Sequence, residues 1–453
     1  MDVRIVHKLG ARSALAAALV LALTAPAHGM DLLQAYQAAL QQDPTVRAAR
    51  AAAEAGREAL PQARAQLYPN IALSAARNHN DLNSTQPNLF GQSTSLHQNY
   101  FSDNQSLTVR QPLYRKHLLD GVAQAAFVVD DANATLDREL QNLGVRVAGA
   151  YLDALLATDQ LALTLAQKDT TTAQLNAAQK ALAGGSGTRT DIDEAQAHLD
   201  QALAQELESR QQVDFTRSQL EAITNQPVGV LARLDPDAMQ LQSPQPALLD
   251  DWRRAAQDQS PEIASLKARV AAAQLAVERA RAGHYPTLDA VAQVVRSSNE
   301  NVTAPSSSYL NHTISLQLNV PLYAGGYVNS AVRQSLAEQV RAQELYEATL
   351  RDLGLRVYRE YRGVSEGVLR VQARKQALRS AEQLVESSRR SLQAGARTLL
   401  DVLNAEERKY LARRDLAQSR YEYLMARIRL QALVGGDKLG TLTEVNTWLR
   451  EAQ

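Results

Sequence analysis

Two hydrophobic periods divide this chain. Between residues 310 and 322 the even positions Leu310, Ile314, Leu316, Leu318, Val320 and Leu322 are apolar, with His312 the exception, and the odd positions Asn311, Thr313, Ser315, Gln317 and Asn319 are polar. A period of two predicts a strand with one apolar face. Phe101, Leu107, Val109 and Leu113 alternate in the same way with Ser102, Asn104, Ser106 and Thr108, Ile71, Leu73 and Ala75 begin a third such segment, and residues 287–297 form a fourth, less regular one. Elsewhere the period is helical. Val122, Ala125, Val129, Ala132, Leu136, Leu140, Leu143 and Val147 keep a 3–4 spacing, as do Leu350, Val357, Tyr361, Val364, Val368, Val371 and Leu378. No proline falls between 113 and 226 or from 322 onward. A helix over 115–182 would extend roughly 100 Å at about 1.5 Å per residue, more than a globular bundle needs.

The landmarks occur twice. Tyr68-Pro69 recurs as Tyr285-Pro286, Pro112-Leu113-Tyr114 as Pro321-Leu322-Tyr323, and Gly185 with Asp191 as Gly395 with Asp401. The offsets are 217, 209 and 210 in turn, so the halves should differ most between the Tyr-Pro and Pro-Leu-Tyr landmarks. A first repeat over 30–245 is predicted to hold strands at about 70–84 and 99–113, a long helix at about 115–182, a short helix at about 189–225 and a proline-rich linker at 226–245. A second repeat over 246–453 is predicted to hold a helix, strands at about 287–299 and 308–322, a long helix at about 324–394, a helix at about 398–434 and a C-terminal segment at 435–453.

Alternation alone would also suit a soluble sheet, and the aromatics favour a bilayer. Tyr68, Tyr114, Tyr285 and Tyr323 stand at the helix-proximal ends of the four strands, and Phe90, Tyr100, Phe101 and Tyr309 lie near the other end. Two aromatic bands are what bilayer interfaces select. Proline lacks an amide donor, so Pro-Leu-Tyr is read as the point where each return strand stops pairing and leaves the membrane. Four strands cannot close a barrel, and open edges in hydrocarbon cost several kcal/mol per unpaired group. Three chains of four strands, twelve in all, are the least elaborate closed solution with a lumen.

Composition narrows the function. Lys plus Arg and Asp plus Glu are both 48, so no bulk positive charge exists to gather nucleic acid. The chain has no cysteine, which removes disulfides, thiolate sites and an acylated N-terminal anchor. Arg4, His7, Lys8 and Arg12 lead into the apolar stretch from Ala14 to Leu23 and then into small residues, the order of an export signal over residues 1–29. The eight histidines are scattered with no i, i+4 pair, and Gly184-Gly185-Ser186-Gly187 suits a helix stop better than a phosphate loop. No catalytic, cofactor-binding or metal-binding residue is assigned.

"DLLQAYQAALQQDPTVRAARA" at 31–51, the four Tyr-Pro and Pro-Leu-Tyr junctions and, above all, "AGARTLLDVLNAEERKYLARRDLAQSRYEYLMARIRLQALVG" at 394–435 resemble the TolC family of outer-membrane efflux proteins. The resemblance implies a mainly α-helical homotrimer, a channel-tunnel with a twelve-stranded β-barrel in the outer membrane lipid and a long α-helical barrel in the periplasm. It also implies docking to a periplasmic adaptor protein and an inner-membrane transporter, and export of small toxic molecules or proteins by a tripartite efflux pump or a type I secretion system. A periplasmic coiled-coil adaptor is the alternative, sharing the long helices but needing one hairpin where this chain has two matching halves.

The resemblance further implies a periplasmic gate at helix turns around Gly185 and Gly395. On the residues alone the better reading is plain capping, with Gly185 and Gly395 as helix stops and Thr190 or Asp191 near a new helix start, and it is the resemblance that favours a gate. In the family, the arginine matched by Arg397 bonds the residues matched by Thr190 and Asp191, while Leu392 replaces a tyrosine of the same network. Asp401 and Asn404 match two positions that are commonly acidic and ring the bore, so one charge ring is expected here where the family has two.

Overall fold

The computed structural model describes residues 29–87, 90–299, 307–435 and 439–450. The export signal, apart from Gly29, lies outside these residues. Helix α1 (Leu32–Gln42) starts at Asp31, whose carboxylate accepts the Gln34 amide at 2.7 Å while the Gln34 side chain accepts the Asp31 amide at 3.1 Å. Pro44 opens α2 (Pro44–Arg57), and Asp43 accepts the Val46 amide at 2.9 Å. Next come α3 (Ala59–Ala65), β1 (Asn70–Pro87), β2 (Ser93–Arg115), α4 (Lys116–Ala183), α5 (Arg189–Thr224) and β3 (Arg233–Leu234). The order then repeats with α6 (Leu249–Gln259), α7 (Pro261–Arg281), β4 (Thr287–Asn299), β5 (Ser307–Asn319), α8 (Tyr327–Gln393) and α9 (Leu399–Val434), and it ends with α10 (Gly440–Thr447) and β6 (Leu449–Arg450).

The duplication is visible in lengths. Helices α4 and α8 have 68 and 67 residues, and α5 and α9 have 36 each. The hairpins differ: β1 and β2 have 18 and 23 residues against 13 each for β4 and β5. The difference falls between the Tyr-Pro and Pro-Leu-Tyr landmarks, where the offsets change.

The chain divides into two compact units. One comprises residues up to 48, 138–260 and 352–453. Its core is built from helix stripes: Leu143, Val147, Tyr151 and Leu155 of α4, Leu353, Val357, Val364, Val368 and Val371 of α8, and Leu416, Tyr423, Leu424, Ile428 and Leu430 of α9. Tyr151 donates to the carbonyls of Met30 at 2.9 Å and Ala232 at 3.0 Å, tying the start of the chain and the proline-rich linker to α4. That linker pairs with the chain's end, since β3 and β6 form a two-stranded antiparallel sheet and the Asp235 amide donates to the Trp448 carbonyl at 2.9 Å.

The second unit comprises residues 49–137 and 261–351. It contains a four-stranded antiparallel sheet in the order β1-β2-β4-β5, leaving β1 and β5 as edges. Its helical stripe is looser than the 3–4 spacing predicts. Ala125 is buried, while Val122, Val129, Ala132 and Leu136 are half-buried. Among the described residues no helix is long and apolar enough to cross a membrane.

Candidate functional site

The sheet register aligns the apolar positions into rows. Ile71, Val109, Ala292 and Ile314 lie side by side across all four strands, flanked by the row Leu73, Leu107, Val294 and His312 and by Gln111, Ala290 and Leu316. Leu288 with Leu318 closes one end of the face, and Ala75, Gln105, Arg296 and Leu310 close the other. Five rows at two residues per row span nine residues of β4, about what a tilted membrane strand needs. The apolar face is open to solvent: Leu73, Ile314 and Leu316 are 77%, 90% and 71% exposed. The opposite face carries Ser74, Ser106, Thr108, Gln293, Thr313 and Ser315, with Ser74 and Ser106 hydrogen-bonded at 2.7 Å. A sheet apolar toward one side and polar toward the other can separate lipid from a wet lumen.

The ends of the sheet correct two expectations. Pro112 does not end its strand, because β2 runs on through Tyr114 to Arg115 after a bulge between Pro112 and Tyr114. The β1 ladder already ends at Asn70 and Arg110, so Pro112 pairs with β4 alone and behaves as an edge position. In the second repeat β5 stops at Asn319, so Pro321-Leu322-Tyr323 lies wholly outside the ladder. Tyr68, Tyr114, Tyr285 and Tyr323 all stand near helix-proximal strand ends and are exposed, and Tyr114 shares the apolar face with Leu288 and Leu318. At the far end Phe101 projects from the apolar face opposite His79, whereas Tyr100 and Tyr309 pair with Asn80 and Ser297 on the polar one. The second aromatic band is thinner than the residue types suggest, because a one-residue step in a strand reverses the side chain.

The helix turns at Gly185 and Gly395 are the same motif built twice. Gly185 and Gly395 adopt φ of 78° and 70°, a left-handed conformation that glycine enters without the Cβ penalty. The Gly185 and Ser186 amides donate to the Leu182 and Ala181 carbonyls at 3.0 and 2.9 Å, and the Gly395 and Ala396 amides donate to Leu392 and Ser391 at 3.0 and 2.9 Å. These paired bonds satisfy carbonyls that the helix end leaves free. Three residues on, Thr188 and Thr398 cap α5 and α9. Asp191 and Asp401 accept from their amides, each at 2.9 Å, and from their hydroxyls at 2.8 and 3.0 Å.

The cap is therefore threonine, and Asp191 and Asp401 are third in their helices. The Thr398 amide and hydroxyl, and then the Arg397 charge, hold the Asp401 carboxyl below the usual carboxylate range, so it is ionised at neutral pH. Arg397 donates from Nη1 to Ser388 of its own hairpin at 3.3 Å, and among the described residues it contacts neither Thr190 nor Asp191. Thr190, Arg397 and Asn404 are exposed, and Asp191 and Asp401 are half-buried.

Two buried carboxylates in these hairpins escaped the sequence reading. Glu206 accepts from Lys168 at 2.8 Å and from Arg210 at 2.6 Å, and the two cations hold its carboxyl below its usual range. Glu406, only 1% exposed, is paired with Arg389 and Lys409. Further along the same helices, Tyr421 donates to Asp159 at 2.7 Å, and burial pushes the Asp159 carboxyl up. Sequence spacing marks the i, i+3 and i, i+4 partners Lys409 and Arg210, whereas Arg389, Lys168 and Asp159 are joined only by the packing of separate helices.

A two-part match to the family model described as outer membrane efflux protein covers residues 35–226 and 252–436. Its two segments correspond to the two repeats. The chain is 33% identical over 428 residues to the alkaline protease secretion protein AprF of Pseudomonas aeruginosa, covering 92% of this chain and 87% of that protein. It is 30% identical to the proteases secretion protein PrtF of Dickeya chrysanthemi, covering 97% and 96%, and 29% identical to the outer membrane protein TolC of Escherichia coli, covering 91% and 83%. The fold is similar to that of the outer membrane protein VceC of Vibrio cholerae, with a TM-score of 0.75 over 89% of this chain and 96% of that one at 19% identity. These likenesses run through strands and both helical repeats, which a periplasmic adaptor would not share. The chain belongs to the outer membrane efflux protein family, whose members are channels of the outer membrane with helical parts in the periplasm.

Proposed function

We propose that the protein is the outer-membrane exit duct of a type I secretion system whose cargo is protein, and that it works as a homotrimer docked to a periplasmic adaptor and an inner-membrane transporter. The observation that carries the assembly is the four-stranded sheet, apolar on one face, with β1 and β5 as unpaired edges. Each unpaired backbone group in hydrocarbon costs several kcal/mol, and cyclic pairing of β5 with β1 of the next copy removes both edges. The exposed Leu207, Leu355 and Leu369 of the long helices offer apolar surface for neighbouring copies. The cargo rests on the two relatives named for protease secretion, AprF and PrtF, which match over nearly the whole chain.

Cross-linking and native mass measurement of the detergent-extracted protein should give three chains, and a stable monomer would refute the barrel. Supplied with an adaptor and transporter from a protease secretion system, the protein should restore protease release to cells lacking their own duct. Restored resistance to small toxic compounds without protease release would transfer the reading to efflux.

The helix turns are the proposed periplasmic gate, with Arg397, Thr190 and Asp191 at its contacts and Asp401 as one ring of three carboxylates in the trimer. Asn404 lies three residues beyond Asp401, on the same side of α9, and supplies no charge. A multivalent cation feels each ring charge several times over. Trivalent cations added from the periplasmic side should therefore block the open pore weakly, and Asn404→Asp should strengthen the block. Equal block of the two proteins in planar bilayers would remove position 404 from the bore.

A further inference from the structure

Where the strands give way to helices, three basic residues are matched to carboxylates. Arg115 donates from Nε to Asp289 at 2.8 Å, Lys116 is paired with Asp120, and Arg281 Nη1 lies 2.7 Å from Glu278 Oε1. Among the described residues Arg279 has no carboxylate partner. It is exposed, and its hydrogen bond among the described residues is a 3.4 Å donation from Nη1 to the neutral Gln124 side chain.

Arg279 lines an open cavity of about 380 Å³ together with His117, Gln124, Tyr327, Val328 and Ser335. Burial, and then the charges of Arg115 and Arg279, push the His117 imidazole below its ordinary pKa, with the Asp120 and Asp289 carboxylates acting more weakly in the other direction. Among the residues that line the cavity, Arg279 is the one that carries a full charge at neutral pH. Its lining comes from the helix turns next to the sheet: His117 is two residues beyond the end of β2, and Tyr327 opens α8 after β5. In an outer-membrane channel with periplasmic helices, this level is that of the headgroups of the periplasmic leaflet.

We propose that this cavity binds the phosphate of an anionic phospholipid headgroup from the periplasmic leaflet, with Arg279 as its charge partner. A guanidinium presents two parallel donors to phosphate oxygens. Gln124, Tyr327 and Ser335 supply neutral polar groups around it, and Val328 and the neighbouring alanines give an apolar wall for the glycerol and upper acyl chain. A bound lipid would anchor the junction between sheet and helices to the membrane. The inference rests on the outer-membrane location and not on the cargo.

The test uses the full-length protein, reconstituted with vesicles of phosphatidylglycerol or phosphatidylcholine, re-extracted in mild detergent and weighed by native mass spectrometry. The intact protein should retain phosphatidylglycerol in preference to phosphatidylcholine. Arg279→Gln should retain about tenfold less of the anionic lipid, the effect of one charge-assisted contact. Ser335→Phe keeps the charge and fills the cavity, and it should lose the lipid as well. Equal retention by all three proteins would overturn the proposal, as would displacement of the lipid by millimolar inorganic phosphate, which would make this a small-anion site. The chain has no cysteine, so Ala331→Cys introduces a single thiol into the cavity wall. A disulfide from that position to a second copy would show the cavity filled by protein and would equally overturn it.

Discussion

Tyr423→Ala is expected to destabilise the helical unit by about 3–5 kcal/mol, the range for deleting a fully buried aromatic side chain. Tyr423 is 1% exposed on α9, and its ring lies where α8 offers a glycine: a Cβ built on Gly367 would come 3.1 Å from its Cδ2. The ring takes up the space that a side chain at position 367 would need. Its hydroxyl accepts from the Gln242 amide at 3.0 Å and donates to the Gln242 carbonyl at 2.9 Å, pinning the proline-rich linker to the helix. Alanine would leave a cavity and two orphaned backbone groups. Tyr423→Phe keeps the packing and loses the hydroxyl bonds, at about 1–3 kcal/mol for the unsatisfied partners. Thermal unfolding in detergent, with limited trypsin digestion as a second readout, should rank the proteins as wild type, Tyr423→Phe and Tyr423→Ala. If the two variants behaved alike, the packing of the ring would not be what holds this region.

The second large effect separates the faces of the sheet. Val109→Arg places a charge in the middle apolar row, beside Ile71 and Ala292, and should cost about 2–4 kcal/mol, as arginine does on the lipid face of a barrel at the bilayer midplane. Thr108→Arg is one residue away and points to the polar face, beside Ala72 and Gln293, where water can hydrate it. Folding from urea into lipid vesicles should give full insertion for Thr108→Arg and a marked loss for Val109→Arg. The same loss at both positions would mean that the sheet does not separate lipid from a lumen.

The local parts of this protein were legible in its sequence. Alternation from 310 to 322 fixed which residues of β5 share a face, because the strand period of two is a property of the backbone. The recurrence of Gly185 and Gly395 marked the two helix ends, because a left-handed stop is settled within about one turn, whereas the capping threonines Thr188 and Thr398 came only with the structure. The 3–4 spacing from Val122 to Val147 and from Leu350 to Leu378 likewise foretold the two longest helices. Strand ends were less legible, since the same Pro-Leu-Tyr lies inside β2, spanning a bulge, and outside β5. Whether a proline stops a ladder depends on which neighbour needs its missing amide, and the chain does not carry that locally.

Tertiary structure decided the rest. Tyr151 and Tyr423 look like ordinary members of helical stripes, yet each binds main chain far away in sequence, at Met30 and Ala232 or at Gln242. Glu406 reads as a surface acid in a charged helix, and only the approach of α8 buries it against Arg389. Arg279 looks like any helix-surface arginine until Arg115, Lys116 and Arg281 are seen paired with carboxylates while Arg279, among the described residues, meets the neutral Gln124. Periodicity and capping are set by forces acting over a few residues, so one sequence window contains their cause. Burial, ion pairing and hydroxyl bonding are set by whichever segment packing brings alongside, and that cause lies elsewhere in the chain.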